Sequence, residues 1–272
     1  MIRLDQKYQP QTIAEFAGLA RPKAILSKLA SEPYASAWLL VGPSGLGKTT
    51  MAMAFAREIG CTDYDLQHIP SRQCDLETVE RTVHKCWLRP LKGNWHVVIV
   101  DEADQMSNAA QLAFLSKLDT TAAPPDTIFL FTANATDLLK DRFLSRCRKI
   151  KFEPRELLEE GAALLERIWR AESTLPCPRR KYFEHLLKSA NMNMREAINE
   201  LETDLIAGPR EIPKPIVEAI PAGDRVDAAQ LARALKIDVG TVYNRIKAGR
   251  LPAPDRIGRK MTWPSSILEA AA

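Results

Sequence analysis

Gly42-Pro43-Ser44-Gly45-Leu46-Gly47-Lys48-Thr49-Thr50 is the stretch that decides the fold. It follows the apolar run Trp38-Leu39-Leu40-Val41 and opens a helical pattern running from Lys48 to Ile59. A buried strand, a glycine-rich loop and a helix in that order make a cradle for phosphate. The glycines let the backbone wrap an anion with its N–H groups, and the helix N-terminus adds a favourable dipole. Lys48 is then placed to bridge the β- and γ-phosphates of a nucleoside triphosphate, and Thr49 to hold Mg²⁺.

Downstream, His96-Val97-Val98-Ile99-Val100 ends in the acids Asp101 and Glu102. An apolar strand that delivers two carboxylates to its C-terminal edge, beside the loop, is the expected companion of a phosphate cradle. Asp101 is the candidate second Mg²⁺ ligand, and Glu102 the candidate group that polarises an attacking water. Thr127-Ile128-Phe129-Leu130-Phe131 is a third run of the same kind. Runs without alternation suit strands covered on both faces of a parallel sheet. Ser107 to Leu118 reads as a helix, with Ser107 as N-cap and Ala110, Phe114 and Leu118 on one stripe. From Pro154 to about Leu205 the pattern turns all-helical, with Met194, Ala197, Ile198, Leu201 and Leu205 at helical spacing. Gly208-Pro209, Pro213, Pro215 and Pro221-Ala222-Gly223 form a breaker-rich linker.

The 272 residues suggest two or three domains, and 46% apolar with 26% charged residues is ordinary for a globular chain. No apolar stretch is long enough to span a membrane and no secretory signal is visible, so the expectation is a cytoplasmic protein with no membrane partner. Five scattered cysteines without a CxxC pair read as free thiols. Net charge is +4, but residues 221–272 hold nine Lys/Arg against five acids, which leaves 29 of each sign in the first 220. The whole excess lies in the tail, where a polyanion is expected.

With these residues in place, the chain over roughly 7 to 205 resembles the AAA+ ATPases, and among them the clamp-loader small subunits. Lys7-Tyr8-Gln9-Pro10 with Glu15-Phe16-Ala17-Gly18 is similar to the family's segment that frames the nucleotide, which implies a nucleotide contact for Tyr8. Asn134, after Thr132-Ala133, resembles the sensor-1 residue that positions water near the γ-phosphate. Ser145-Arg146-Cys147 matches the family's Ser-Arg-Cys motif, whose arginine reaches a neighbouring subunit's site, so Arg146 is implied to act in trans. Met194-Arg195-Glu196-Ala197 resembles sensor 2 at the start of a lid helix, which implies a catalytic role for Arg195. The resemblance implies ATP and Mg²⁺ as cofactors, and an oligomer, homo- or hetero-, built through the ATP site. The four-cysteine zinc module of the bacterial subunits and the helical collar have no counterpart in the motifs present.

Near Asp224 a third unit begins. Asp227 caps a helix with Ala228, Leu231, Ala232 and Leu235 on one face, and Lys236-Ile237-Asp238 turns the chain. Val239, Val242 and Ile246 are expected to face inward on a second helix, which turns Thr241, Asn244 and Arg245 outward as candidate base contacts. Lys247, Arg250, Arg256, Arg259 and Lys260 flank that surface or lie on the basic hairpin of Leu251 to Trp263, as phosphate contacts. These residues resemble the winged-helix domains of phage excisionases.

The fold expected is therefore α/β: a P-loop AAA+ parallel sheet flanked by helices (1–153), an all-helical lid (154–207), a linker (208–223) and a small winged helix-turn-helix (224–272). The function expected is an ATP-hydrolysing, clamp-loader-like ATPase of phage or mobile-element type that binds duplex DNA in replication, recombination or transposition. A true loader subunit working on a sliding clamp, a helicase loader or replication initiator, a branch-migration motor and a nucleotide-gated DNA-binding regulator stay open as alternatives.

Overall fold

The three apolar runs become the middle of one sheet. In the computed structural model, β1 (Ser36–Val41), β3 (His96–Asp101) and β4 (Thr127–Ala133) are flanked by β2 (Leu66–Pro70) and β5 (Arg148–Lys151), all parallel, in the order β2-β3-β4-β1-β5. The structure describes residues 3–119, 122–210, 225–235, 237–247, 251, 253–257 and 260–264. They fall in two compact units, Met1–Arg210 and Glu211–Ala272.

Successive residues of a strand point to opposite faces, and the central strands use this to build two cores. Val97, Ile99, Ile128 and Leu130 pack with α2 (Ala20–Ser31) and α3 (Lys48–Glu58) through Leu26, Met51 and Phe55. Val98, Val100, Phe129 and Phe131 pack on the other face with α4 (Leu76–Cys86), α5 (Asn108–Lys117) and α6 (Asp141–Leu144). There Phe114 and Phe143 meet Phe131 edge-on at 5.1 and 4.9 Å between ring centres. Ser107 caps α5 by accepting from the Ala110 amide, as its sequence position predicts. Parallel strands covered on both faces explain why β3 and β4 read as unbroken apolar runs.

The first unit also contains α7 (Leu158–Glu172), α8 (Arg180–Ser189) and α9 (Met194–Ala207), which share a separate core around Trp169, Phe183, Leu186 and Leu201. Leu4, in the short α1 (Leu4–Lys7), belongs to that core, so the N-terminal segment packs with these helices. Lys7 and Tyr8 both donate to Glu172 at the end of α7, the lysine at 2.7 Å. No helix among the described residues is long and apolar enough to cross a membrane.

In the second unit, β6 (Arg225–Asp227), α10 (Ala228–Ala234), α11 (Val239–Lys247), β7 (Asp255–Ile257) and β8 (Lys260–Pro264) follow in order, and the antiparallel sheet runs β6-β8-β7. Asp227 caps α10 in a capping box with Gln230. Two expectations for α11 need correction. Val239 is 40% exposed and outside the core, which is closed by Val226, Leu231, Val242, Leu251 and Trp263. Asp238 starts the helix by accepting from the Thr241 amide at 2.9 Å, which puts Val239 in the first turn, outside the cluster that Trp263 helps to close. The Thr241 hydroxyl is also committed, since it donates to the same carboxylate. Most of the predicted linker, residues 211–223, lies outside the described residues.

Candidate functional site

The loop between β1 and α3 turns through two left-handed glycines, Gly45 at φ +78° and Gly47 at φ +81°. Neither tolerates a side chain: a Cβ on Gly45 would collide with the Asn193 amide, and one on Gly47 would press Phe16 at 3.0 Å. The bare backbone leaves a concave surface where a phosphate fits. Lys48, 7% exposed, opens α3 and reaches back over the loop, donating from Nζ to the carbonyls of Gly42 (2.6 Å) and Pro43 (2.8 Å) and to Asn134 Oδ1 (3.1 Å). Loss of water around it pulls its pKa below the usual lysine value, against the carboxylates of Asp104, Asp101 and Glu102, which favour the charged form.

Beside it, Asp101 at the end of β3 accepts on Oδ1 from the hydroxyls of Thr49 and Thr132, both at 2.5 Å. Hydroxyl and carboxylate oxygens are the donor set a small hard cation such as Mg²⁺ takes, with water completing its shell, so Thr49 and Asp101 fit that role. Glu102 stands next in the chain with φ +54°, its amide held by Thr132 Oγ1 at 3.0 Å. Thr132 therefore orients both acids at once. A cavity of about 90 Å³ is lined by Ser44, Lys48, Thr49, Thr50, Asp101, Glu102, Asn134 and Arg195. A larger one, about 420 Å³, adjoins it through Gly45, Gly47, Thr50 and Arg195 and extends along Tyr8, Phe16, Leu164, Met194 and Ile198. Leu46 lines the larger cavity and is buried.

Lys48, Thr49, Asp101, Glu102, Asn134 and Arg195 thus come together, and Tyr8 lines the adjoining space. Burial and the bond to Glu172 push the Tyr8 hydroxyl up to about 12, so it stays a donor. Arg146 lines neither cavity: it donates to the Arg142 carbonyl (3.1 Å) and pairs with Asp119 at 3.4 Å. In the second unit Asn244 is exposed and Arg245 half-buried. Arg250 and Arg259, and the side chains of Lys247, Arg256 and Lys260, lie outside the described residues.

Sequence reasoning missed several participants. Thr132 and Asp104, whose carboxylate accepts from the Asn134 amide at 3.3 Å, gave no signal beyond their place next to named motifs. His68 on β2, with Nε2 4.0 Å from Asp101 Oδ2, lies on a strand the sequence did not reveal. Asn193 caps α9 through the Glu196 amide while Met194 donates its amide to the Gly45 carbonyl at 3.2 Å, joining the helical layer directly to the loop. The Asn193-x-x-Glu196 spacing is a helix-start signal that could have found it.

A family model described as "ATPase family associated with various cellular activities (AAA)" matches residues 38–155. Replication factor C subunit 3 of Blastobotrys adeninivorans is 32% identical over 204 residues, 72% of this chain and 58% of that protein. Replication factor C subunit 3 of Saccharomyces cerevisiae is 28% identical over 205 residues, 73% of this chain and 58% of that protein. The replication factor C small subunit of Methanothermobacter thermautotrophicus is 24% identical over 238 residues, 85% and 71% of the two chains. The chain thus spans under two thirds of the first of these relatives. Among solved structures, RuvB of Thermotoga maritima, described as a Holliday junction branch migration motor, matches with TM-score 0.59 at 17% identity over 97% of both chains. That likeness speaks for the fold alone.

Proposed function

We propose, from the premise that residues 38–155 are an AAA ATPase domain homologous to that of replication factor C small subunits, that this chain hydrolyses ATP to work on DNA in replication. The observation that carries the reading is the convergence of Lys48, Asn134, Thr49, Asp101 and Glu102 at the C-terminal edge of the parallel sheet, next to a loop that only glycine can form. Backbone amides of residues 44–49 wrap the β-phosphate, and Lys48 exchanges its carbonyl partners for phosphate oxygens. Thr49 and Asp101 would hold Mg²⁺, which would supply positive charge against the phosphates. Glu102 orients the attacking water with Asn134, and Arg195 answers the charge that develops on the γ-phosphate. Arg146 does the same for the site of a neighbouring subunit, which makes an oligomer the active form.

The domain boundaries proposed are 1–153 for nucleotide binding, 154–207 for the lid, 208–223 for the linker and 224–272 for a winged helix-turn-helix that binds duplex DNA. Helix, turn, helix and hairpin in that order, together with the basic excess of the tail, support the last assignment. Asn244, exposed on α11, and Arg245, half-buried beside it, remain the proposed base contacts, with Lys247, Arg250, Arg256, Arg259 and Lys260 for phosphate. Thr241, tied to Asp238, contributes through the helix start. A sliding clamp is the partner proposed, on the resemblance of residues 7–205 to clamp-loader small subunits.

Steady-state ATPase of three proteins tests the first part. The parent is expected to turn over ATP with Mg²⁺, Lys48→Ala to lose nucleotide binding, and Glu102→Gln to keep ATP bound while slowing hydrolysis at least a hundredfold. A Glu102→Gln protein that hydrolyses at the parental rate rejects the role. Fluorescence anisotropy over a salt series tests the second: residues 1–220 should lose most duplex affinity, and equal affinity with the full chain would move DNA contact to the ATPase unit.

A further inference from the structure

Arg195 extends from a helix whose first turn is bonded to the phosphate loop. Asn193 is the N-cap of α9, and Met194 and Arg195 are its first two residues. The first amides of a helix have no partner inside it, so something outside must accept from them. Asn193 Oδ1 takes the Glu196 amide at 3.1 Å, and the carbonyl of Gly45 takes the Met194 amide at 3.2 Å. The side-chain amide of Asn193 also fills the place that a Cβ on Gly45 would need. A trans peptide points its C=O and its N–H in opposite directions, so the bond from Met194 sets the direction of the Leu46 amide within the loop as well. The chain enters α9 through a strained turn, with Asn191 at φ +50° and Met192 at φ +61°, a left-handed conformation unfavourable for methionine. Such strain persists only where the surroundings over-determine it.

Arg195 itself is exposed and lines both cavities. Loss of water lowers the Lys48 pKa most, and the charge of Arg195 lowers it further, so the two cations face one space. A long, exposed side chain meets an anion in the right geometry only when its root is fixed. We propose that Asn193 is a positioning residue for Arg195: by seating the start of α9 on Gly45, it lets the phosphate loop place the arginine at the γ-phosphate. Asn193 touches no nucleotide atom in this role. A loop ordered by phosphate carries the root of Arg195 with it, through the Gly45 carbonyl and the Asn193 amide. The inference rests on the reading of the cavities as the nucleotide site and of Arg195 as its γ-phosphate cation.

Steady-state ATPase of the full chain over a range of ATP concentrations tests it, with Asn193→Ala, Asn193→Asp, Arg195→Ala and the Asn193→Ala/Arg195→Ala pair. Arg195→Ala should lower kcat about a hundredfold, as loss of a charge partner of the transition state does. Asn193→Ala should lower kcat about tenfold with KM nearly unchanged. In the Arg195→Ala background it should lower kcat no further, because the residue acts through that arginine. Asn193→Asp keeps an oxygen for the Glu196 amide in nearly the same volume, and should bring kcat back to within about threefold of the parent. A merely structural role would lower kcat by the same factor in both backgrounds, and that result overturns the proposal. So does a parental kcat in Asn193→Ala, or an Asn193→Asp protein as slow as Asn193→Ala. A parent without ATPase activity, or Arg195→Ala at the parental rate, overturns the underlying reading of the site and this inference with it.

Discussion

Gly45→Ala is the substitution whose effect the geometry fixes most tightly. The new methyl group would occupy the place of the Asn193 amide, and the backbone there sits at φ +78°. Asn193 must shift to admit it, and the amide oxygen that moves is the one that caps the Glu196 amide. Losing that cap costs about 1 kcal/mol. Holding alanine in a left-handed conformation costs roughly 1–2 kcal/mol more. The sum, about 2–3 kcal/mol, corresponds to a fall in Tm of roughly 4–12 °C for a unit of this size. A double-mutant cycle makes the reasoning sharper. Asn193→Ala should cost about 1 kcal/mol in the parent and close to nothing in Gly45→Ala, because the cap is already broken there. Thermal and denaturant unfolding of the four proteins reads this directly. If Asn193→Ala costs the same in both backgrounds, the loop and α9 are not in the contact described and the argument fails.

Thr132→Val removes the hydroxyl that orients Asp101 and Glu102 while keeping the shape of the strand; kcat should fall by about tenfold to a hundredfold with ATP affinity largely kept, and an unaltered kcat removes Thr132 from the site. Mixing Arg146→Ala with Lys48→Ala should restore part of the ATPase through the one composite interface that is intact, and a parent that is monomeric at full activity contradicts the trans role. Burial pushes the thiols of Cys74 and Cys86 from 9.0 up to about 11, and that of Cys147 to about 12. The fold favours their neutral form, so this contribution to stability is complete below pH 9 and is lost as pH rises toward 11 to 12. Native protein at pH 8 should therefore label more slowly than unfolded chain, on the order of a hundredfold at Cys74 and Cys86 and a thousandfold at Cys147, and fast labelling without denaturant refutes the burial.

What the sequence made legible was whatever one segment could state by itself. The phosphate loop, the acid pair after β3 and the helix starts at Ser107 and Asp227 each carry their own chemistry, and the three central strands announce themselves because both of their faces are buried. The outer strands did not. On β2 only Ile69 is fully buried, and on β5 only Ile150, so neither shows an apolar run. With β2 unseen, His68 could not be placed near Asp101. Thr132 acts through Asp101, 31 residues away in the chain, and such a pairing appears only once the layers are assembled. Val239 shows the opposite error: periodicity assigned it to a core that Trp263 and Leu251, from beyond the helix, help to fill.

The same polar character that concealed the outer strands also guards the sheet. A parallel sheet exposes a row of unmet backbone donors and acceptors at each margin, an invitation to any passing extended chain. On β5, Arg148, Lys149 and Lys151 all project into solvent, and Arg148 lies across the rings of Tyr34 and Trp38, which holds its charge at the margin. On the far side, β2 ends in Pro70, which has no amide hydrogen to offer. A bulky cation at one border and a missing donor at the other make recruitment of a foreign strand unfavourable. Neutralising Arg148, Lys149 and Lys151 together would leave the nucleotide site untouched and raise the tendency of the chain to associate through this edge.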